Sequence, residues 1–171
     1  MAQTKIVVDA DVIIHFSKAE ILPILPTIFP EYQMVVLSVV LDELKGEVKT
    51  QIENMARWMK DKIELIPFNP QKEMRMEYAL LLQRFGKGES ACMAYCRYTN
   101  NVIGSSNLRD IKEYCESNQM IYLTTIDFLY YAIQRGIMSI DDAHQFIEVV
   151  REKGSKLPDT DFYVFRSQAI V

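Results

Sequence analysis

Short runs of apolar residues alternate along this chain with longer segments in which apolar positions recur at helical spacing. Five runs hold four residues or fewer and are rich in aliphatic side chains, which is typical of strands buried on both faces of a parallel sheet. They cover residues 6–8, 34–37, 63–66, 102–103 and 121–123. The pattern predicts an α/β protein in which helices cover both faces of a central, mainly parallel sheet.

Several helix boundaries can be predicted from single residues. Ser38 precedes a helix predicted over 39–45, and Ser139 with Asp142 three residues later resembles a capping box. Gly86 is predicted to close the helix before it. These signals alternate with the apolar runs, as a strand–helix–strand fold requires.

The chain of 171 residues, with 49% hydrophobic content, is long enough for one well-buried core. Because it contains no repeat, low-complexity tract or linker, residues 1–171 are predicted to form a single domain. In the tail, 159–171, Phe, Val and Arg residues alternate. This pattern predicts either an edge strand or a partner-binding arm.

The composition limits the expected cellular location and the kind of metal site. No stretch approaches the roughly 20 apolar residues that span a bilayer, and the first residues lack a secretory signal, so a soluble, cytoplasmic protein without membrane contact is expected. Three cysteines without paired metal-ligand spacing fit a reducing compartment. The two histidines, His15 and His144, have no neighbours of the zinc-binding pattern.

The net charge of −4 and the pI near 5.3 predict no broad basic surface. If nucleic acid is the partner, general electrostatic attraction therefore does not hold its phosphates. A bound metal ion would supply positive charge locally.

Acidic residues near the ends of the apolar runs are the main candidates for chemistry. Ligands bind beyond the carboxyl ends of strands in open parallel sheets. Carboxylates that converge there from distant positions suit a hard cation such as Mg²⁺ or Mn²⁺. The candidates are Asp9, Glu43, Glu89 and the pair Asn107 and Asp110.

Each acidic position also has a structural explanation. Asp11 would cap the helix after the first strand, and Glu43 would be a solvated helix residue. Glu89 would be a first-turn acid favoured by the helix dipole, and Asn107 with Asp110 would form a helix cap. Asp9 is harder to explain in this way, since a carboxylate buried at a strand end is costly unless it is paired or metal-bound.

Five segments taken in order resemble the PIN-domain family, especially its small bacterial VapC-like toxin ribonucleases. They read KIVVDADVII, VVLDEL, GKGESACMAYC, VIGSSNLRDI and IYLTTIDFLYYAIQRGIMS. The resemblance implies a three-layer α/β/α sandwich, a Mg²⁺ or Mn²⁺ site and hydrolysis of RNA phosphodiester bonds. It also implies the toxin role of a toxin–antitoxin pair, with an antitoxin protein or a second copy of the chain as partner.

The resemblance carries over to individual residues. Asp9, Glu43 and Glu89 correspond to the first three family acids, as catalytic residues and metal ligands. Where the family has an aspartate after the fourth strand, this chain has Asn107, and its next carboxylate is Asp110. Asn107 offers a carbonyl oxygen, and Asp110 would compensate through water. The lost charge predicts weaker metal binding, particularly of a second ion.

Four further residues are secondary candidates. Ser106 is predicted to orient water or phosphate, with capping of the following helix as its alternative. Lys45 and Lys87 are predicted to contact the RNA backbone, although solvated lysines are common. Asp127 would be a reserve acid or a first-turn helix residue.

Two other functions compete with a ribonuclease. The segment VVDADVI also resembles haloacid-dehalogenase-like phosphatases, with Asp9 as nucleophile, Asp11 as acid/base, and Thr124 or Thr125 as the strand-end hydroxyl. That family's later lysine and paired acids are missing from the expected order. A degenerate PIN domain acting as a non-catalytic binding module is favoured by Asn107 and the acidic pI. The retained acids argue against it.

Overall fold

The structure, a computed structural model, describes residues 3–169. Its strands form one parallel sheet in the order β3-β2-β1-β4-β5. The strands are β1 (Ile6–Val8), β2 (Met34–Leu37), β3 (Ile63–Ile66), β4 (Val102–Gly104) and β5 (Tyr122–Leu123). The predicted α/β class with a parallel sheet is confirmed, and each predicted strand lies within one residue of its place in the structure.

Helices flank this sheet and complete a three-layer α/β/α sandwich. They are α1 (Ala10–Lys18), α2 (Ser38–Glu43), α3 (Gly46–Trp58), α4 (Lys72–Leu81), α5 (Lys87–Thr99), α6 (Leu108–Ser117), α7 (Thr125–Gln134) and α8 (Ile140–Glu152). A 3-10 helix spans Leu22–Thr27. β1, β2 and β4 are buried along their whole length, which is why their sequences are continuously apolar rather than alternating.

Some helix ends differ from the predictions. The α2 helix begins at Ser38 itself and ends at Glu43, so Lys45 lies outside it as the N-cap residue of α3. Gly86 does not close the preceding helix, which ends at Leu81. It is instead the extended N-cap residue of α5. The capping box of Ser139 and Asp142 at the start of α8 is confirmed.

The strand order places a switch point at β1. The chain proceeds from β1 to β2 and β3 on one side, then crosses to β4 and β5 on the other side. In open α/β sheets, the crevice beyond the carboxyl ends of the strands at such a point is the usual ligand site. A hydrogen bond of 2.7 Å from the Asp9 backbone N to the Gly104 backbone O joins the ends of β1 and β4 there.

The described part of the tail, residues 159–169, contains no strand, so the edge-strand alternative is wrong for these residues. A turn follows Asp161, and Phe165 packs edge-on against Tyr130. Tyr131 donates a hydrogen bond to the backbone O of Ala169. Among the helices of residues 3–169, none has the length and apolar character needed to cross a bilayer.

Candidate metal centre

Asp9 lies where β1 passes into α1. It is the N-cap residue of α1, and its side chain is buried, with the residue 6% exposed. Its Oδ1 accepts a hydrogen bond of 2.8 Å from the backbone N of Ala10. This local bond holds the carboxylate at the carboxyl end of β1, beside the switch point.

Asp11, in the first turn of α1, reaches towards the loop after β4. Its Oδ2 accepts a hydrogen bond of 2.9 Å from the backbone N of Ser106, and its Oδ1 accepts one of 2.7 Å from Val12. The predicted capping role of Asp11 is wrong, because Asp9 occupies the N-cap position. Asp11 therefore connects the end of β1 with the loop after β4.

Glu43, the last residue of α2, contacts the start of α5. Its Oε1 accepts a hydrogen bond of 2.8 Å from the backbone N of Gly88. A Cβ atom added to Gly88 would lie 2.5 Å from Oε2 of Glu43, so only glycine permits this approach. The contact places the exposed Glu43 next to the residue that follows Gly88, which is Glu89.

Glu89 is the most unusual acid of the site. It is 9% exposed, and within residues 3–169 its Oε1 is buried without a hydrogen-bond partner. A buried carboxylate oxygen without a donor is destabilising unless it is protonated or meets a cation. The arrangement leaves one strong acceptor unsatisfied inside the site. We refer to Asp9, Asp11, Glu43 and Glu89 as the acid cluster.

The pKa values show that these acids influence one another. Burial, then the charge of Asp11, raises the pKa of Asp9 well above its usual value. Burial also raises the pKa of Asp11 to about 6, and it raises that of Glu89 to about 7 with help from Asp110. Glu43 contributes to the raised pKa values of both Asp9 and Glu89. The charges of neighbouring acids thus disfavour ionisation of Asp9 and Glu89.

Asn107 and Asp110 lie beside this cluster but do not form the predicted cap. Asn107 is at the N-cap position of α6, yet its side chain makes no capping hydrogen bond. Its Nδ2 instead donates to Oδ2 of Asp110 at 2.8 Å. The Asn107 side chain lowers the pKa of Glu89, while the charge of Asp110 raises it. Both residues are therefore within electrostatic reach of Glu89.

The donor set suits a hard cation, but the acids are not drawn around a single point. All side-chain donors of the cluster are oxygens, which Mg²⁺ and Mn²⁺ prefer. Among residues 3–169, no three His, Cys, Asp or Glu side chains are arranged to hold one metal ion. Backbone N–H groups already bind two of these carboxylates: Gly88 donates to Glu43, and Ser106 donates to Asp11. The unpartnered Oε1 of Glu89 is the atom that best fits a cation.

The secondary candidates separate into two groups. Ser106 contacts the acid cluster through its backbone N. Lys45 and Lys87 are exposed at the starts of α3 and α5, and within residues 3–169 neither forms an ion pair. Lys87 directly precedes Gly88, so it lies at the rim of the site.

Asp127 belongs to a helix cap rather than to the acid cluster. Its Oδ2 accepts hydrogen bonds from the backbone N and Oγ1 of Thr124, completing a capping box. Its Oδ1 accepts a hydrogen bond from Ser167 in the tail. Thr125, the other candidate strand-end hydroxyl, bonds to His15 and Ser106.

Two features of the site were missed from the sequence. The sequence analysis assigned no role to Gly88, although a glycine within a helical segment can have a packing reason. For Asp11 the sequence predicts a helix cap or the acid/base of a phosphatase, but not its contact with Ser106, because that hydrogen bond joins positions 95 residues apart. Local pattern carries no information on such a pairing.

Neither the models of known protein families nor the curated proteins compared with this chain match it.

Proposed function

We propose that this protein is a metal-dependent ribonuclease of PIN-domain type, which hydrolyses RNA phosphodiester bonds with Mg²⁺ or Mn²⁺. The observation that supports the proposal best is the buried Oε1 of Glu89, which has no hydrogen-bond donor among residues 3–169 and lies in the acid cluster at the sheet switch point. Carboxylates that repel one another have no use in a mere scaffold. A cation bound among these acids would offset their repulsion and give the unsatisfied oxygen a partner.

In this proposal Asp9, Glu43 and Glu89 hold the metal, with Asn107 and Asp110 completing the set directly or through water. A Mg²⁺ or Mn²⁺ ion held by these residues would supply an activated water and positive charge at the scissile phosphate. Metal binding requires Asp9 and Glu89 to be ionised. Glu43 would keep the hydrogen bond from the Gly88 backbone N on Oε1 and offer Oε2 to the cation.

The surrounding residues position the RNA. Ser106 is close enough to the acid cluster to orient phosphate or water, and Lys87 at the rim offers a positive charge to the backbone. Lys45 is the second candidate for such a contact. Because the net charge is −4, affinity for RNA depends on the metal and on these few contacts rather than on a basic surface.

The role of a toxin, with an antitoxin-like protein partner or a homodimer, follows from the resemblance alone. Cytoplasmic action is supported by the three cysteines, which are free and buried in the structure. Thiols persist in a reducing compartment.

The decisive experiment is cleavage of structured and single-stranded RNAs by purified protein in Mn²⁺, Mg²⁺ or EDTA, comparing wild type with Asp9→Asn. We expect metal-dependent cleavage that falls at least about 100-fold in Asp9→Asn, because the variant loses a ligand charge at the centre of the cluster.

Asp61→Asn is the matched control for this experiment. Asp61 is exposed in the turn before β3, at the opposite edge of the sheet from the acid cluster. The control variant should cleave at the wild-type rate. Metal-dependent cleavage at an equal rate in wild type and Asp9→Asn would refute the assignment of Asp9.

A non-catalytic binding module is the second candidate. It is favoured by Asn107 in place of an acid and by the absence, within residues 3–169, of three side chains already arranged around one metal ion. Mn²⁺ binding without cleavage of any RNA would favour this function over the nuclease.

A further inference from the structure

A chain of hydrogen bonds connects the acid cluster with a histidine that the proposed reaction does not use. Nδ1 of His15 lies 2.8 Å from Oγ1 of Thr125, and Oγ of Ser106 lies 2.8 Å from the same Oγ1. The backbone N of Ser106 then donates to Oδ2 of Asp11 at 2.9 Å. The path runs from α1 through the start of α7 to the loop after β4 and back to α1.

This chain of hydrogen bonds is buried at the end that is remote from the acid cluster. His15 is 5% exposed and Thr125 is fully buried. Polar groups in such surroundings are destabilising unless they are hydrogen-bonded, so each link restricts the others to one arrangement. A residue chosen only to fill space at either position would carry no polar atom.

The donors and acceptors of the chain can be assigned. The backbone N of Thr125 donates to Oγ of Ser106 at 3.4 Å, so that hydroxyl directs its own hydrogen to Oγ1 of Thr125. The Thr125 hydroxyl hydrogen then has Nδ1 of His15 as its acceptor. Burial, assisted by the charge of Lys18, lowers the pKa of His15 to about 4, which agrees with a neutral ring.

We propose that His15 and Thr125 are positioning residues, which hold the Ser106 loop so that its backbone N fixes the carboxylate of Asp11. The effect on metal binding rests on the proposed function. The effect on Asp11 itself does not, because it concerns the metal-free protein.

The backbone N of Asn107, in the same loop as Ser106, also lowers the pKa of Asp11. Among residues 3–169, the other hydrogen bond to the Asp11 carboxylate comes from the adjacent backbone N of Val12. The bond from Val12 is local, so the orientation of the Asp11 carboxylate relative to the acid cluster depends on Ser106. If the Ser106 loop relaxes, Asp11 loses its fixed orientation and its charge moves relative to Asp9 and Glu89. Groups that orient a metal site from outside the ligand set change metal affinity by about 10- to 100-fold when they are removed.

The test compares Thr125→Val, which keeps the shape but removes the hydroxyl, with Thr125→Ser, which keeps the hydroxyl. The first measurement is hydrogen exchange of the Ser106 amide by NMR in metal-free protein. We expect exchange about tenfold faster in Thr125→Val, since the loop opens more often, and near wild-type exchange in Thr125→Ser.

The second measurement is Mn²⁺ affinity by titration calorimetry on the same proteins. We expect Thr125→Val to bind Mn²⁺ about tenfold more weakly than wild type, and Thr125→Ser to recover most of the affinity. Because fully buried Thr125 is sensitive to replacement, Ser106→Ala serves as a second variant. It removes the same link at a half-buried loop position, so the test does not depend on Thr125→Val folding.

The outcomes separate the two proposals. Unchanged exchange of the backbone amide at position 106, in folded Thr125→Val or in Ser106→Ala, would overturn the positioning role whatever the metal affinity. Faster exchange with unchanged Mn²⁺ affinity would overturn its link to the metal site. Absence of Mn²⁺ binding by the wild type would reject the proposed function, while the exchange rates would still decide whether the hydrogen bond between Thr125 and Ser106 holds the loop that binds Asp11.

Discussion

Glu89 shows how burial and neighbouring charge act together on a single residue. It lies in the first turn of α5, where the helix dipole favours a negative charge. Burial and the charges of Asp110 and Asp11 nevertheless raise its pKa to about 7. The unfavourable effects exceed the dipole, so an ionised Glu89 destabilises the metal-free fold.

The sign of the resulting pH dependence follows from this shift. An acid whose pKa is higher in the folded protein than its ordinary value of 4.5 binds its proton more tightly when folded. Its contribution to the free energy of unfolding is greatest below about pH 4.5 and is lost as the pH rises through about 7. His15 acts oppositely, since its lowered pKa removes stability as the pH falls below 6.5 towards about 4.

We therefore expect Glu89→Gln to be more stable than wild type in EDTA, with a difference that grows between pH 5 and pH 8. At pH 5 wild-type Glu89 is mostly protonated and resembles Gln. At pH 8 the variant should gain about 1–2 kcal/mol in free energy of unfolding, a figure reduced for screening by water at the site. Urea unfolding at several pH values measures it.

Comparison between the two proteins cancels the contribution of His15, which both contain. Glu113→Gln is the control, because Glu113 is exposed on α6. A difference between Glu89→Gln and wild type that stays constant from pH 5 to pH 8 would show that Glu89 is ionised without penalty in the fold.

At the scale of elements, the site depends on how closely the end of α2 approaches the start of α5. Gly88 allows this approach, since its backbone N binds Glu43 and a Cβ atom would overlap the Glu43 carboxylate. The backbone of Gly88 is helical, so this position requires glycine for its small size and not for an unusual φ angle.

Gly88→Ala is expected to displace Glu43 from the acid cluster. Alanine favours the helix by up to about 1 kcal/mol, so the thermal midpoint should not fall much. The Glu43 carboxylate must move, and Mn²⁺ affinity by calorimetry should fall about tenfold or more. The variant would lose binding without losing the fold.

Gly86→Ala is the matched control, two residues earlier, where an added Cβ meets nothing within 4 Å. It loses a favoured N-cap residue, so it should be slightly less stable yet bind Mn²⁺ like wild type. Equal Mn²⁺ affinities in Gly88→Ala, Gly86→Ala and wild type would contradict a role for Glu43 in the site.

The elements themselves were largely predictable from the sequence, because apolar runs and helical spacing report burial directly. The ends of helices were less predictable. Gly86 was assigned to the end of one helix but begins the next, and Asp11 was assigned a cap that Asp9 provides. Asp9 and Asp11 are two residues of the same type near one N-cap position, and the sequence does not say which of them occupies it. Glycine is favoured both after a helix and at an N-cap, so Gly86 alone does not say which helix it belongs to.

At the scale of the whole molecule, the sheet order brings the acids together. Sequence alone predicts that parallel strands share one edge, and this reasoning selected Asp9, Glu43 and Glu89. It does not say that β4 lies beside β1, which is what places Ser106 against Asp11. The contacts of Thr125 with His15 and Ser106 therefore could not be predicted from the sequence.

A metal ion bound at this switch point must stabilise the entire fold. It binds the folded chain, in which the acids converge, and finds no such site in the unfolded chain. At free Mn²⁺ about 100-fold above its dissociation constant, the free energy of unfolding should rise by about 2.7 kcal/mol. For a domain of this size, that corresponds to an increase of roughly 5–10 °C in the thermal midpoint.

The pH dependence of this stabilisation distinguishes the acid cluster from weak surface sites. Metal ligands must be deprotonated, and Glu89 releases its proton only near pH 7, so the Mn²⁺-induced shift should be small at pH 5.5 and large at pH 7.5. EDTA should reverse it, and Asp9→Asn should abolish most of it. An equal shift at both pH values, or one retained in Asp9→Asn, would place the bound metal away from Asp9 and Glu89.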